Sequence, residues 1–200
     1  MKKIIPLLVS IIFISIAVGF SADEKSYVEN LIKSKTEQIL SIIRQKNISE
    51  KEKKKKIFEI ARPLFDFDTM SKLTLGRHYW LKFTPEQRKR FTDLFVKRLK
   101  MTYLDRVTLY GNENITFKPA IVKGKIKIYV PSIVTSKGEN TSVLYKFWKS
   151  PKGWKIYDVE VEGVSIIRTY RSQFSEILRK GGIEELFKKL EELTQESHKK

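Results

Sequence analysis

Read as a pattern of apolar and polar positions, the chain changes period three times. An uncharged run from Ile4 to Phe20 comes first. Apolar residues then recur at helical spacing to about residue 109, alternate with polar ones between 114 and 162, and return to helical spacing afterwards. Helices, then strands, then helices, with no repeat and no Pro/Gly-rich boundary after residue 22, read as one α+β domain over residues 23–200.

Four helical segments precede the strands. The first is expected to open at Ser26, with Glu29 completing a capping box, and to show Val28, Leu31, Ile32, Ile39, Leu40 and Ile43 on one face. Ser49 and Glu52 repeat the cap before Ile57, Phe58, Ile60 and Ala61, and Pro63 ends that helix. A short piece from Leu64 to Leu75 stops at Gly76, with Asp66 and Asp68 read as helix-start acids. Thr84-Pro85-Glu86-Gln87 starts a helix that carries Phe91, Phe95, Leu99 and Tyr103, expected to run to about Leu109 and stop at Gly111.

Four antiparallel strands are predicted at 114–122, 125–135, 141–149 and 154–162, joined by turns at Lys123-Gly124, Lys137 to Asn140 and Ser150 to Gly153. Alternation places Ile126, Ile128 and Val130 on one face, Val143, Tyr145 and Phe147 on one, and Tyr157, Val159 and Val161 on one. Asp158, Glu160 and Glu162 then occupy a solvated face. Ser165 caps a helix with Ile167, Tyr170, Phe174, Ile177 and Leu178 along one side, and Gly181-Gly182 breaks it before a final amphipathic helix and a polar tail. The expected architecture is a curved four-stranded antiparallel sheet with helices packed on it, a geometry that encloses a cavity between its two layers.

The N-terminus adds location. Met1-Lys2-Lys3, the apolar run, and small residues Gly19, Ser21 and Ala22 before Asp23 form the order of an export signal over residues 1–22. The run is short for a membrane span and contains Pro6. Cleavage near Ser21 or Ala22 is expected, with Ser21 preferred because it puts Gly19, not Phe20, three residues before the cut. The formal charge is +17, and losing residues 1–22 removes Lys2 and Lys3 and no acid, leaving +15. For an exported protein that surplus points to anionic membrane faces, headgroups or acidic proteins, not to nucleic acid.

Chemistry is sparse. The absence of cysteine excludes thiolate catalysis, cysteine-ligated zinc and disulfides. His78 and His198 are the only histidines, and no metal-ligand spacing, phosphate loop or nucleophile elbow is present. The residues argue for binding without a cofactor or metal and without catalysis.

Three stretches carry a resemblance. They are Phe65-Asp66-Phe67 with Met70, Leu75-Gly76 and Trp80; Thr84 to Arg88 with Phe91, Phe95, Leu99 and Tyr103; and Trp154 to Ser165 continuing through Tyr170-Arg171-Ser172-Gln173-Phe174 to Gly181. In this order and spacing they resemble the MlaC family, the toluene-tolerance auxiliary proteins. The resemblance implies a periplasmic phospholipid carrier working as a monomer between an outer-membrane lipoprotein complex and an inner-membrane ABC transporter with an MCE-domain subunit, maintaining envelope lipid asymmetry. Some relatives accompany hopanoid synthesis, so another amphiphile is an alternative cargo. It also implies a deep apolar lipid pocket and no catalytic residues.

Between sheet and helices, the expected pocket walls are Phe67, Met70, Phe91, Phe95, Leu99, Val130, Val143, Tyr145, Phe147, Val159, Val161, Ile167, Tyr170 and Phe174. Arg171 has two readings, a headgroup phosphate contact or a structural salt bridge. Two competing functions remain: an enzyme using Asp158 or Glu160 as base, and a ligand-free adaptor bridging envelope proteins. N-terminal sequencing of the exported protein is expected to read Ala22-Asp23-Glu24; an intact Met1 would refute cleavage.

Overall fold

The computed structural model describes residues 22–108 and 113–195. The export segment before Ala22, the helix stop expected at Leu109 to Gly111 and the last residues of the polar tail lie outside the described residues. Five α-helical elements and six strands follow in the order helices, strands, helix: α1 Ala22–Ile43, α2 Glu50–Ala61, α3 Phe67–Lys82, α4 Pro85–Thr108, β1 Asn114–Phe117, β2 Ile121–Lys123, β3 Lys127–Ser136, β4 Glu139–Ser150, β5 Gly153–Val161, β6 Val164–Ser165 and α5 Ile166–Gln195. This is the α+β class that the periodicity implies.

Local chemistry sets most boundaries. The Ser49 hydroxyl accepts from Glu52 N and opens α2. At α4 the box is reciprocal: Thr84 Oγ1 accepts from Gln87 N at 3.2 Å, and Gln87 Oε1 accepts from Thr84 N at 2.9 Å. Asp66 caps α3, accepting from Thr69 N at 3.0 Å. The backbone leaves the helical region at Gly76 (φ 71°), where the first part of α3 stops as expected, and again at Gly182 (φ 72°), which divides α5. The Arg171 guanidinium packs 3.2 Å from where a Cβ on Gly76 would stand, so a side chain there would meet a strained positive φ and would have to displace the guanidinium slightly. α1 differs from expectation. It is already helical at Ala22, the first described residue, so Ser26 does not open it and Glu29 is not its cap. The Glu29 carboxylate instead accepts from Ala120 N at 2.6 Å, tying α1 to the sheet edge.

The sheet runs β1-β3-β4-β5-β6, with β2 also paired to β3, and every pairing is antiparallel. Six strands replace the expected four for two reasons. Around Pro119, which has no N–H for the ladder, the first strand splits: Phe117 faces Ser132 but Ile121 faces Tyr129, a slip of one residue. After β5 the chain turns at Glu162 and Gly163, both at positive φ, and Val164–Ser165 pairs back as β6. The β3–β4 turn is a two-residue hairpin at Lys137 and Gly138, also both at positive φ.

A bulge in β5 opposite Lys146 and Phe147 changes the expected faces. Ile156 and Val159 are buried in the core, while Tyr157 lies on the other face, its hydroxyl 2.9 Å from that of Tyr129. Nor is the Asp158–Glu160 face solvated. Asp158 is 5 % exposed, and its carboxylate accepts from Ser165 Oγ at 2.8 Å, Ile167 N at 3.2 Å and Lys146 Nζ at 3.1 Å. Glu160 pairs with Lys146 and with Arg168 at 3.3 Å, and only Glu162 is exposed. Strand alternation cannot register this cover, because β6 and the start of α5 return over the end of β5. Burial acts to lower the Lys146 ammonium, but its hydrogen bonds to Glu160 and Asp158 outweigh that and hold it above the usual lysine range.

The apolar interior falls into three clusters. Phe91, Phe95, Ile167, Tyr170, Phe174 and Leu186 centre a core between α3, α4 and α5. Val28 and Ile32 of α1 cover Ile128, Val130, Phe147 and Ile156 of the sheet. Ile43, Ile57 and Leu104 join α1, α2 and α4. Asp158→Ala is expected to destabilise the fold by about 3 kcal/mol in denaturant titrations, because it strands buried donors and a half-buried cation. Exposed Glu37→Ala should change stability by less than about 0.5 kcal/mol.

Candidate functional site

Where the sheet turns away from the helical core, its apolar face and the helices do not fill the space between them. An inner chamber of about 310 Å³ lies among α1, α2, α4 and the sheet, walled by Ile32, Ile39, Ile57, Phe58, Phe65, Phe67, Met70, Leu99, Leu104, Ile156 and Val159. Beside it, toward the β3–β4 hairpin, is a second chamber of about 780 Å³. Thr36, Ile39, Tyr103, Val143, Tyr145, Val161 and Ile166 line both, so the two are neighbouring parts of one space. Each volume is in the range of small-molecule pockets.

The walls differ in polarity. Apart from Lys35, Arg62 and Lys100, the inner chamber meets few polar groups. The outer one has Thr36, Ser136, Thr141, Thr169, Glu113, Lys137 and Glu139 around it. Glu113 accepts from Ser136 Oγ at 3.0 Å, and its second carboxylate oxygen is buried without a partner among the described residues. At the junction, burial pushes the Tyr145 phenol up, a shift the Ser132 hydroxyl opposes, so the ring is a neutral wall. Val161 and Val164 stand exposed beside the outer chamber.

The residues of the Phe65-Asp66-Phe67 motif have distinct places. Phe65 and Phe67 stack at 5.5 Å between centroids and wall the inner chamber. Asp66 between them pins the pair to the sheet: its N–H donates to the Ile156 carbonyl at 2.9 Å and its carboxylate accepts from Trp148 Nε1 at 2.9 Å. In the second motif, Arg88 donates to the Trp80 carbonyl at 2.9 Å and lies over the Trp80 ring.

Of the expected pocket walls, Phe67, Met70, Leu99, Val143, Tyr145, Val159 and Val161 line the cavity. Phe91, Phe95, Ile167, Tyr170 and Phe174 sit in the helical core, and Val130 and Phe147 lie beneath α1, away from the lining. Arg171 is exposed and packs on Gly76, outside the cavity lining. Asp158 and Glu160 do not line it either. The lining that sequence reasoning missed includes Ile39, Leu40 and Ile43 of α1 and Ile57 and Phe58 of α2. Their apolar spacing was visible; that they face a gap and not a filled core was not.

The profile of the MlaC protein family matches residues 33–192. The chain belongs to the MlaC family. It is 32 % identical over 124 residues to the toluene tolerance protein ttg2D of Pseudomonas putida, across 62 % of this chain and 58 % of that protein. It is 27 % identical over 136 residues to the intermembrane phospholipid transport system binding protein MlaC of Haemophilus influenzae, across 65 % of this chain and 63 % of that one. The chain thus spans about three fifths of the length of these curated relatives. A solved phospholipid-binding protein from Ralstonia solanacearum, in complex with a phospholipid, superposes with a TM-score of 0.74 at 27 % identity, over 83 % of this chain and 96 % of that one. Among the described residues no helix is long and apolar enough to cross a membrane, and no three His, Cys, Asp or Glu side chains gather as a metal site.

Cavity and core make opposite demands on substitution. Val143→Trp, at the junction of the chambers, is expected to cut uptake of an apolar fluorescent dye severalfold while the melting temperature stays within a few degrees. Phe91→Ala should cost about 3–5 kcal/mol in stability. Dye uptake unaffected by Val143→Trp would show that the chambers are not the binding space.

Proposed function

We propose that this member of the MlaC family is a periplasmic phospholipid carrier that shuttles lipid between an outer-membrane lipoprotein complex and an inner-membrane ABC transporter with an MCE-domain subunit, and so helps maintain lipid asymmetry. The observation that carries the proposal is the open apolar space between sheet and helices in a fold whose Ralstonia solanacearum relative was solved with a phospholipid bound. The export pattern of residues 1–22 supports the location, and a cleaved, untethered chain fits a carrier that must reach two membranes.

Physical magnitudes explain why such a carrier needs depth. Hiding acyl chains is worth about 0.8 kcal/mol per methylene, so two tails with about 30 methylenes represent on the order of 24 kcal/mol. A shallow groove would leave much of that in water. The same quantity makes spontaneous release into water very slow, so delivery requires docking to a partner that offers a sheltered exit. The basic surface of the chain suits approach to anionic faces, and that attraction weakens with salt. No bond is made or broken in this task. Asp158, one of the two acids considered as a base, is buried and already engaged by Ser165, Ile167 and Lys146.

Organic extracts of the purified mature protein are expected to contain phospholipid by mass spectrometry, with transfer of labelled phospholipid from donor to acceptor vesicles. Repeated absence of any bound amphiphile, with no transfer, would refute the carrier reading in favour of an adaptor. Extracts holding only a polycyclic amphiphile would replace the phospholipid with a hopanoid-type cargo.

A further inference from the structure

Three cations from three separate elements meet the inner chamber: Lys35 of α1, Arg62 in the turn that follows α2, and Lys100 of α4. Among the described residues no carboxylate lines that chamber. Arg62 and Lys100 are exposed and Lys35 is half-buried, which places them at the rim, where long side chains keep a charged end in water while their stems cover apolar wall. Among the described residues none of the three pairs with an acid. Lys35 Nζ donates to the neutral Gln38 amide at 3.1 Å, and Lys100 Nζ lies 4.8 Å from the centre of the Phe58 ring, itself a wall of the chamber. Five other surface lysines, Lys53, Lys56, Lys89, Lys180 and Lys189, each pair with a carboxylate three or four residues away.

The outer chamber has the opposite balance. Among the described residues Glu113 and Glu139 line it against Lys137 alone, and one Glu113 oxygen is unpartnered. An anion is favoured beside the inner chamber and disfavoured beside the outer one, while tails are accepted by both.

Resting on the carrier reading above, we infer that Lys35, Arg62 and Lys100 form the recognition site for the phosphate of the bound amphiphile, so that the lipid lies with its phosphate at the α1–α2–α4 rim and its tails running toward the β3–β4 hairpin. Cations that border an apolar wall, with no acid among its described lining, suit an anion that carries hydrocarbon. The site acts on selectivity and orientation; the tails supply the affinity.

The test compares two ligands with the same single acyl chain: a lysophosphatidic acid, and the monoacylglycerol that lacks the phosphate. Full-length mature protein is used in three forms: unaltered, Lys35→Gln/Arg62→Gln/Lys100→Gln, and a control with the same charge loss at exposed positions off the cavity, Lys72→Gln/Lys97→Gln/Lys188→Gln. Circular dichroism melts verify that all three fold. The unaltered protein should prefer the phosphate-bearing lipid about tenfold, a preference that shrinks with salt. The rim variant should lose that preference and bind the monoacylglycerol as before, while the control keeps it. Equal binding of both lipids by the unaltered protein, or equal loss in rim variant and control, overturns the phosphate site and leaves the carrier reading standing. Binding of neither lipid by the unaltered protein means the carrier reading itself has failed. Inorganic phosphate at the lipid's concentration should not displace it; displacement would assign the cations to free phosphate and overturn the lipid assignment.

Discussion

Four aromatic rings hold the arrangement on which the cavity depends. Phe91 and Phe95 stack along α4 with centroids 6.0 Å apart, and Tyr170 and Phe174 of α5 meet Phe95 edge-on at 5.2 and 6.0 Å. Phe83 and Phe187 extend the same packing. Protein interiors are ordinarily filled, and an unfilled apolar space forfeits dispersion contacts. A domain that keeps chambers of about 310 and 780 Å³ beside its sheet must therefore draw its stability from elsewhere. The α3–α4–α5 core supplies it. With that block self-sufficient, α1 and α2 are free to span a gap rather than seal it.

Two acids then connect block and sheet. Asp66 caps α3 while bonding Trp148 and, through its own N–H, β5. Asp158 joins β5 to the start of α5 through Ser165 and Ile167. Both belong to the stretches that carry the family resemblance, and their chemistry is positional. Each ties a helix N-terminus to a strand, where a carboxylate satisfies N–H groups that would otherwise lack partners. Phe65 and Phe67 owe their place on the cavity wall to the first of these ties.

The charge of the chain acquires a direction in the fold. Spread along the sequence, forty Lys and Arg describe only a basic surface. Folded, several pair with carboxylates three or four residues away, while Lys35, Arg62 and Lys100 line one apolar chamber without an acid partner among the described residues. An amphiphile, with an anion at one end and hydrocarbon at the other, matches that pairing of environments.

Sequence by itself determined what depends on neighbours along the chain: the helix and strand order, the reciprocal cap at Thr84 and Gln87, the break at Gly76, the hairpin turns, and a family motif dense enough to recognise. Tertiary structure alone decided which apolar faces fill a core and which border a gap. Phe91 and Phe95 share one helix stripe with Leu99, yet only Leu99 reaches the cavity, because α5 covers the first two and leaves the third to α2 and the sheet. A one-residue bulge turned Tyr157 to the far face and brought Ile156 inward, and the returning β6 buried Asp158. Periodicity records which way a side chain points from its own backbone; what it meets there is set by segments far away in sequence.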